Sequence, residues 1–164
     1  MRRSPDVRAP ALLVLLIVVV NADILFLGRG LYAAGVADLL GYHIPMKWVV
    51  RDIVSHGTFP YWNPYFSAGQ PLAANPAYQV FYPLHWLILL PSFHFGFQLQ
   101  IVVHFVIAAL GMYLLLRGLG ATPTAATFGA AVFVMSGPYL SVATKLPMLF
   151  ALSWMPLAEP TGAE

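Results

Sequence analysis

The chain has no cysteine, which rules out disulfides, thiolate metal sites and thiol nucleophiles and leaves the redox compartment open. Charge is scarce too. Lys, Arg, Asp and Glu together make up 9% of the residues, against roughly 25% in a soluble domain. The net charge of +2 therefore comes from scattered residues. No basic run exists to follow a phosphate backbone, so nucleic acid is not a partner. Also missing are an HExxH pattern, a glycine-rich phosphate loop, a Ser-His-Asp set, internal repeats and low-complexity segments. His85, His94 and His104 have no metal-ligand spacing. Apolar side chains are what the chain has in quantity: 60% of residues, with a mean hydropathy of +0.77. That is the composition of an integral membrane protein.

The apolar runs predict an all-α polytopic membrane protein. Residues 1–10, with Arg2, Arg3 and Arg8, are expected in the cytoplasm. Residues 11–27 form a first span just long enough to cross. A signal peptide cleaved near Val20-Asn21-Ala22 competes with this, but apolar character continues to Leu27 and favours an anchor. Asp23 near the outer interface costs little there. Residues 28–94 are then an extracytoplasmic loop, entered through breaks at Gly28, Gly30 and Gly35. Residues 97–116 are a second span, 117–124 a cytoplasmic turn containing Arg117, and 125–142 a third span. Small residues Ala126, Gly129 and Ala130 suit close packing in the third span, and Pro138 kinks or ends it. Residues 146–157 start a further span. Lys145 falls outside and opposes this topology. The end at LAEPTGAE, just after an apolar run, reads as a truncation.

The long loop is the polar part of the chain. Met46, Val49, Val50, Ile53 and Val54 fall at i, i+3, i+4, i+7 and i+8 and predict a helix over 45–56, stopped by Gly57 and Pro60. It is too short to span and suits a helix lying at the membrane interface, its apolar stripe in lipid. Lys47, Arg51, Asp52 and Ser55 lie off the stripe. Residues 58–79 read as loop, because Pro60, Pro64, Pro71 and Pro76 exclude a long helix or central strand. Residues 80–90 read as an interfacial or re-entrant segment.

Each candidate residue has a functional and a plain structural reading. Asp38, just outside the first span, can act as a general base or hold a divalent metal; otherwise it caps the following helix or stays solvated. Tyr42 lies four residues on, with His43 beside it, although Pro45 weakens a shared face. Lys47 and Arg51, at i and i+4, can hold a lipid phosphate, or simply form the solvated face of an amphipathic helix. Asp52 is a second carboxylate or a solvated one. Trp62, Tyr61, Tyr65, Tyr78 and Tyr82 suit the headgroup level. His104 reads as a packed, hydrogen-bonded residue within a span.

A further pattern runs along the chain in order: Asp38-x3-Tyr42-x2-Pro45, Gly57-x2-Pro60-x-Trp62-Asn63-Pro64-Tyr65, Gly69-Gln70-Pro71, Asn75-Pro76 and Phe81-Tyr82-Pro83. It continues through Gly111-x-Tyr113-Leu114-Leu115-x-Arg117-x-Leu119-Gly120, Ala125-Ala126, Ser136-Gly137 and Trp154-x-Pro156-Leu157. This series resembles the YfhO family of bacterial membrane proteins, placed among the GT-C glycosyltransferases. The resemblance implies a GT-C-like transmembrane helix bundle in the bacterial plasma membrane, with its site on the outer face. It implies transfer of a sugar from a polyprenyl-phosphate carrier to a cell-envelope polymer or glycan acceptor. Asp38 occupies the position of the key acid of the first outer loop. Tyr42, His43, Lys47, Arg51, Trp62, Asn63, Tyr65, Gln70 and Asn75 become expected substrate-binding residues. No cofactor is required beyond the lipid-linked donor, with a divalent metal left open. The competing class is a non-enzymatic membrane protein, a lipid or polymer transporter or an assembly partner, using the same loop for recognition.

Overall fold

The computed structural model describes residues 8–26 and 38–158. The expectations for residues 1–7, 27–37 and 159–164, including cytoplasmic Arg2 and Arg3 and the break at Gly28, Gly30 and Gly35, lie outside the described residues. The chain is mostly helical and divides into two units, Met1–Arg29 with Ile101–Glu164, and Gly30–Gln100.

The first unit begins with α1 (Arg8–Val20) and the short α2 (Ala22–Phe26). Asn21 separates them in name only: its N–H bonds to Ile17 O, and its own carbonyl accepts from Leu25 N. Its side-chain amide also donates to Ile17 O at 2.8 Å. A buried amide is thus satisfied within the helix. At 1.5 Å per residue the stretch from Arg8 to Phe26 is roughly 28 Å long.

Helix α4 (Phe93–Gly118) passes through both units, and α5 (Pro123–Met135), α6 (Gly137–Ser141) and α7 (Leu146–Ala158) follow. Thr122 caps α5 by accepting from Ala125 N, with Pro123 in the first turn. The expected third span over 125–142 is interrupted. Helix α5 ends at Met135, and Ser136 is extended and caps α6 through Tyr139 N. Pro138 explains the break, since it has no N–H to continue the α5 ladder. Ala9 and Leu13 of α1 pack with Ala126 and Ala130 of α5 and with Tyr113 of α4. Small residues at i and i+4 let the helices approach closely. Among the described residues, α4 is the one helix long and apolar enough to cross a membrane, while α1, α5 and α7 are each shorter.

In the second unit the helix expected over 45–56 is α3 (Ile44–Ser55), entered directly from a π-helical turn at Leu39–His43. Pro45 explains the wider turn. Its ring crowds the carbonyl four residues back and it has no N–H to offer it. The Ile44 N–H instead reaches Leu39 O, five residues back. Gly57, at φ 77°, ends α3. The apolar stripe is not left for lipid, as its periodicity suggested. Met46 and Val50 are buried against Leu72, Tyr78, Val80 and Ile88, with Val49, Ile53 and Val54 at the margin. The loop itself supplies the apolar cover, and each such buried side chain contributes roughly 1.5–3 kcal/mol.

The expected loop over 58–79 contains a small antiparallel ladder. Strand β1 (Trp62–Asn63) pairs with β2 (Gln70–Pro71), Trp62 opposite Pro71 and Asn63 opposite Gln70. A 3₁₀ turn follows at Pro76–Tyr78 and a longer one at Pro83–Leu89. The three-residue period of the latter turns His85 and Ile88 inward together. Gly96 of α4 lies so close to this segment that a Cβ there would stand 2.1 Å from Leu87 O.

Candidate functional site

The helical run from Asp38 through α3 carries the first set of polar groups. Asp38 is exposed, and its side chain makes no capping hydrogen bond, so the capping role open in the sequence is not what it does. The π turn adds a residue to the helical turn and brings His43 into the field of Asp38. His43 is buried, and its pKa is lowered by burial and by the charge of Lys47, while the Asp38 carboxylate pulls it back up. Helical continuity across Pro45, uncertain from sequence, is what allows this. π turns of this kind recur at functional sites.

Lys47 departs most from expectation. The sequence left it either holding a lipid phosphate or on a solvated face; it is 1% exposed. Its Nζ donates to Gln79 Oε1 at 3.0 Å and meets His85 Nδ1 at 2.8 Å. Burial pulls its pKa from 10.5 down to about 7. His85 is pushed down to about 3 by burial and then by the Lys47 charge. When Lys47 is an ammonium, His85 Nδ1 must accept, so the ring proton sits on Nε2. That nitrogen is buried with no hydrogen-bond partner among the described residues. The pair therefore holds a proton loosely near neutral pH.

Arg51 is also drawn inward. One guanidinium nitrogen donates to Ile88 O and Leu90 O, both at 2.7 Å, and the other to Pro91 O at 3.0 Å. These carbonyls lie at the end of the 83–89 turn, where helical acceptors run out of internal partners. The fork expected to clasp a phosphate instead ties down a helix end.

A second group surrounds Tyr78. Its hydroxyl accepts from Gln70 Nε2 and, at 3.4 Å, from Asn63 Nδ2. Tyr42 leans on its ring, with centroids 6.4 Å apart, and meets His43 edge-on. Asn63 is 0% exposed and its Oδ1 accepts from Tyr65 N at 2.9 Å. Asn75 Oδ1 accepts from Ala77 N. Both asparagines thus shape turns, as Asx side chains do, and Asn63 is closed to any ligand. Gln70 holds the hairpin to Tyr78 rather than facing solvent alone.

Trp62 and Tyr65, by contrast, are exposed. With Phe59, Tyr61, Pro64, Thr58, Ile53, Asp52 and His56 they line a groove of about 490 Å³. Among the described residues no three His, Asp or Glu side chains converge as a metal set.

Sequence reasoning missed Gln79, His85 and Tyr78 as partners. Lys47 is 32 and 38 residues from its two acceptors, beyond any local spacing. In the first unit, His104 is buried and stacked on Phe150 at 3.8 Å, as its position in an apolar run suggested. No protein-family model, curated protein or solved structure matches this chain.

Proposed function

We propose that the chain is, or forms part of, a GT-C-type membrane glycosyltransferase that moves a sugar from a polyprenyl-phosphate carrier to an envelope glycan. The observation that carries this reading is Asp38: an exposed, uncapped carboxylate at the mouth of a π turn, in electrostatic reach of His43. The ordered motifs that resemble the YfhO family supply the reaction class. One helix long and apolar enough to cross a membrane, α4, begins at Phe93. In the reaction the acceptor hydroxyl attacks the anomeric carbon, the bond from that carbon to the phosphate oxygen breaks, and polyprenyl phosphate leaves. Asp38 takes the hydroxyl proton. His43, held neutral by burial and Lys47, orients beside it. Lys47 and Arg51 act from inside the fold rather than on the leaving phosphate.

The protein sits in the bacterial plasma membrane with its N-terminus in the cytoplasm, residues 38–94 outside and Arg117 inside. Single cysteines at Ser67 and Gly118 test this with an impermeant thiol reagent: labelling in intact cells is expected at 67, and labelling only at 118 would reverse the topology. The enzymatic reading is tested by supplying membranes with a polyprenyl-phosphate sugar or with a nucleotide sugar. Transfer to glycan is expected from the lipid-linked donor alone.

One observation favours a second reading, recognition without chemistry. Both cations of α3 are engaged by the fold, leaving neither aimed at a phosphate. Binding of the lipid-linked sugar with no transfer, in the full-length protein, would select it.

A further inference from the structure

The groove beside the end of α3 is separate from Asp38 and combines two kinds of surface. One is aromatic: Tyr61, Trp62 and Tyr65 are all more than half exposed. The other is polar: the Asp52 carboxylate lies 3.9 Å from His56 Nδ1. That same nitrogen meets the Asp52 carbonyl at 2.8 Å. A carbonyl only accepts, so Nδ1 carries the proton and Nε2 of the neutral ring is the acceptor that remains. The His56 side chain is 73% exposed, so this acceptor is open to a ligand.

The platform is braced. Gly69, at φ 104°, lies against the indole of Trp62; a Cβ there would fall 2.6 Å from Cζ2 and Nε1. The residues before it, Ser67 and Ala68, also hold positive φ, a conformation that non-glycine residues keep only when their surroundings enforce it. The loop thus fixes one aromatic surface while leaving half of it open.

We propose that this groove binds a pyranose unit of the acceptor glycan, its apolar C–H face stacked on Trp62 and Tyr65 and its hydroxyls on Asp52 and His56. An aromatic face carries negative charge density and attracts the polarised C–H groups of a sugar. The carboxylate accepts hydroxyl donors strongly. Other occupants fit less well. Among the described residues no lysine or arginine lines the groove, so an anionic lipid headgroup meets the Asp52 carboxylate and no fixed cation of those side chains. A quaternary ammonium is held by a cage of several open faces, whereas Phe59 and Tyr61 lean on each other at 4.5 Å and each covers part of the other. The proposal rests on the glycosyl-transfer reading for the choice of acceptor glycan; the sugar class comes from the groove.

The test is saturation-transfer NMR on the full chain in zwitterionic nanodiscs. Methyl β-glucopyranoside, methyl α-galactopyranoside and chitobiose serve as probes, and choline as competitor. Irradiating aromatic protons is expected to transfer saturation to pyranose ring protons. Trp62→Ala is expected to weaken binding roughly tenfold, as for an aromatic anchor, with Tyr65→Ala and Asp52→Asn each weakening it less. Trp154→Phe, in the other unit, serves as control and is expected to leave it unchanged. Matched melting curves separate lost binding from lost folding. The proposal is overturned by no transfer to any probe, by transfer indifferent to both Trp62→Ala and Tyr65→Ala, or by displacement with choline. Transfer from the polyprenyl donor without pyranoside binding at the groove leaves the enzymatic reading standing and removes this one. Pyranoside binding lost in the Trp62 variant, with no transfer by wild type, does the reverse.

Discussion

Where α1 meets α5, Ala126 and Ala130 receive Ala9 and Leu13 beside the Tyr113 ring. Where α3 meets the 83–89 turn, Lys47 and Arg51 reach acceptors on Gln79, His85, Ile88, Leu90 and Pro91. The first contact is apolar and non-directional. The second is directional, and removing one partner strands the others in a low-dielectric setting. The polar unit is therefore the one in which single changes should cost most, although the apolar unit holds most of the helix.

One substitution, made once in each unit, tests this contrast at its widest. Gly96→Ala drives a methyl to 2.1 Å from the Leu87 carbonyl, a backbone group that cannot swing aside. A loss of about 3 kcal/mol or more is expected, at the top of the range for overpacking. Thermal unfolding of the purified protein would read it.

Arg51→Ala comes next. It leaves three backbone carbonyls without their cation, for a loss of about 2–3 kcal/mol. Arg51→Lys should recover little, because an ammonium is a point charge without a fork. Full recovery by lysine would mean that charge rather than geometry matters there.

The pH dependence is read on a different axis. The folded pKa of Lys47, about 7, lies below its ordinary 10.5. Between those values the unfolded chain binds the extra proton, so stability rises with pH. Below about pH 7 both states are charged and the cost of burying the ammonium is fully present. His85 acts in the same direction in a lower window, from about 3 to 6.5. Melting temperature is thus expected to climb from acid pH, and again by several degrees from about 7 towards 10. Lys47→Met should abolish the upper climb. A persisting rise in that variant would assign the proton elsewhere.

The smallest effect returns to the apolar unit. A Cβ at Gly129 would lie 2.6 Å from Leu116 Cδ1, but that atom ends a flexible side chain. Gly129→Ala should cost less than about 1 kcal/mol. Equal losses at Gly96 and Gly129 would break the contrast between the units.

The elements were legible where the cause is local. The i, i+3, i+4, i+7 stripe and Gly57 placed α3 to within one residue at either end. The span expected over 97–116 lies inside α4, extended at its start where Ser92 Oγ accepts from Phe95 N. Pro138 announced the end of α5. What could not be read depends on distant partners. A lysine off an apolar stripe looks solvated until Gln79 and His85 are folded over it. The same holds for Arg51 and the carbonyls near Leu90. The lipid-facing stripe was misjudged for the same reason, because Leu72, Tyr78, Val80 and Ile88 arrive from later in the chain to cover it. Pro45 signalled a disturbance, but not that a π turn would absorb it and keep Asp38 near His43.

The role of Asp38 is tested most directly by sugar transfer from a polyprenyl-phosphate donor in membranes carrying Asp38→Asn, with protein amount and melting temperature matched to wild type. Asp38 makes no side-chain capping bond, so the variant should fold and insert as wild type does. An amide cannot take the acceptor proton, and transfer is expected to fall by about 100- to 10,000-fold. Transfer at the wild-type rate would contradict the account and move the base away from Asp38.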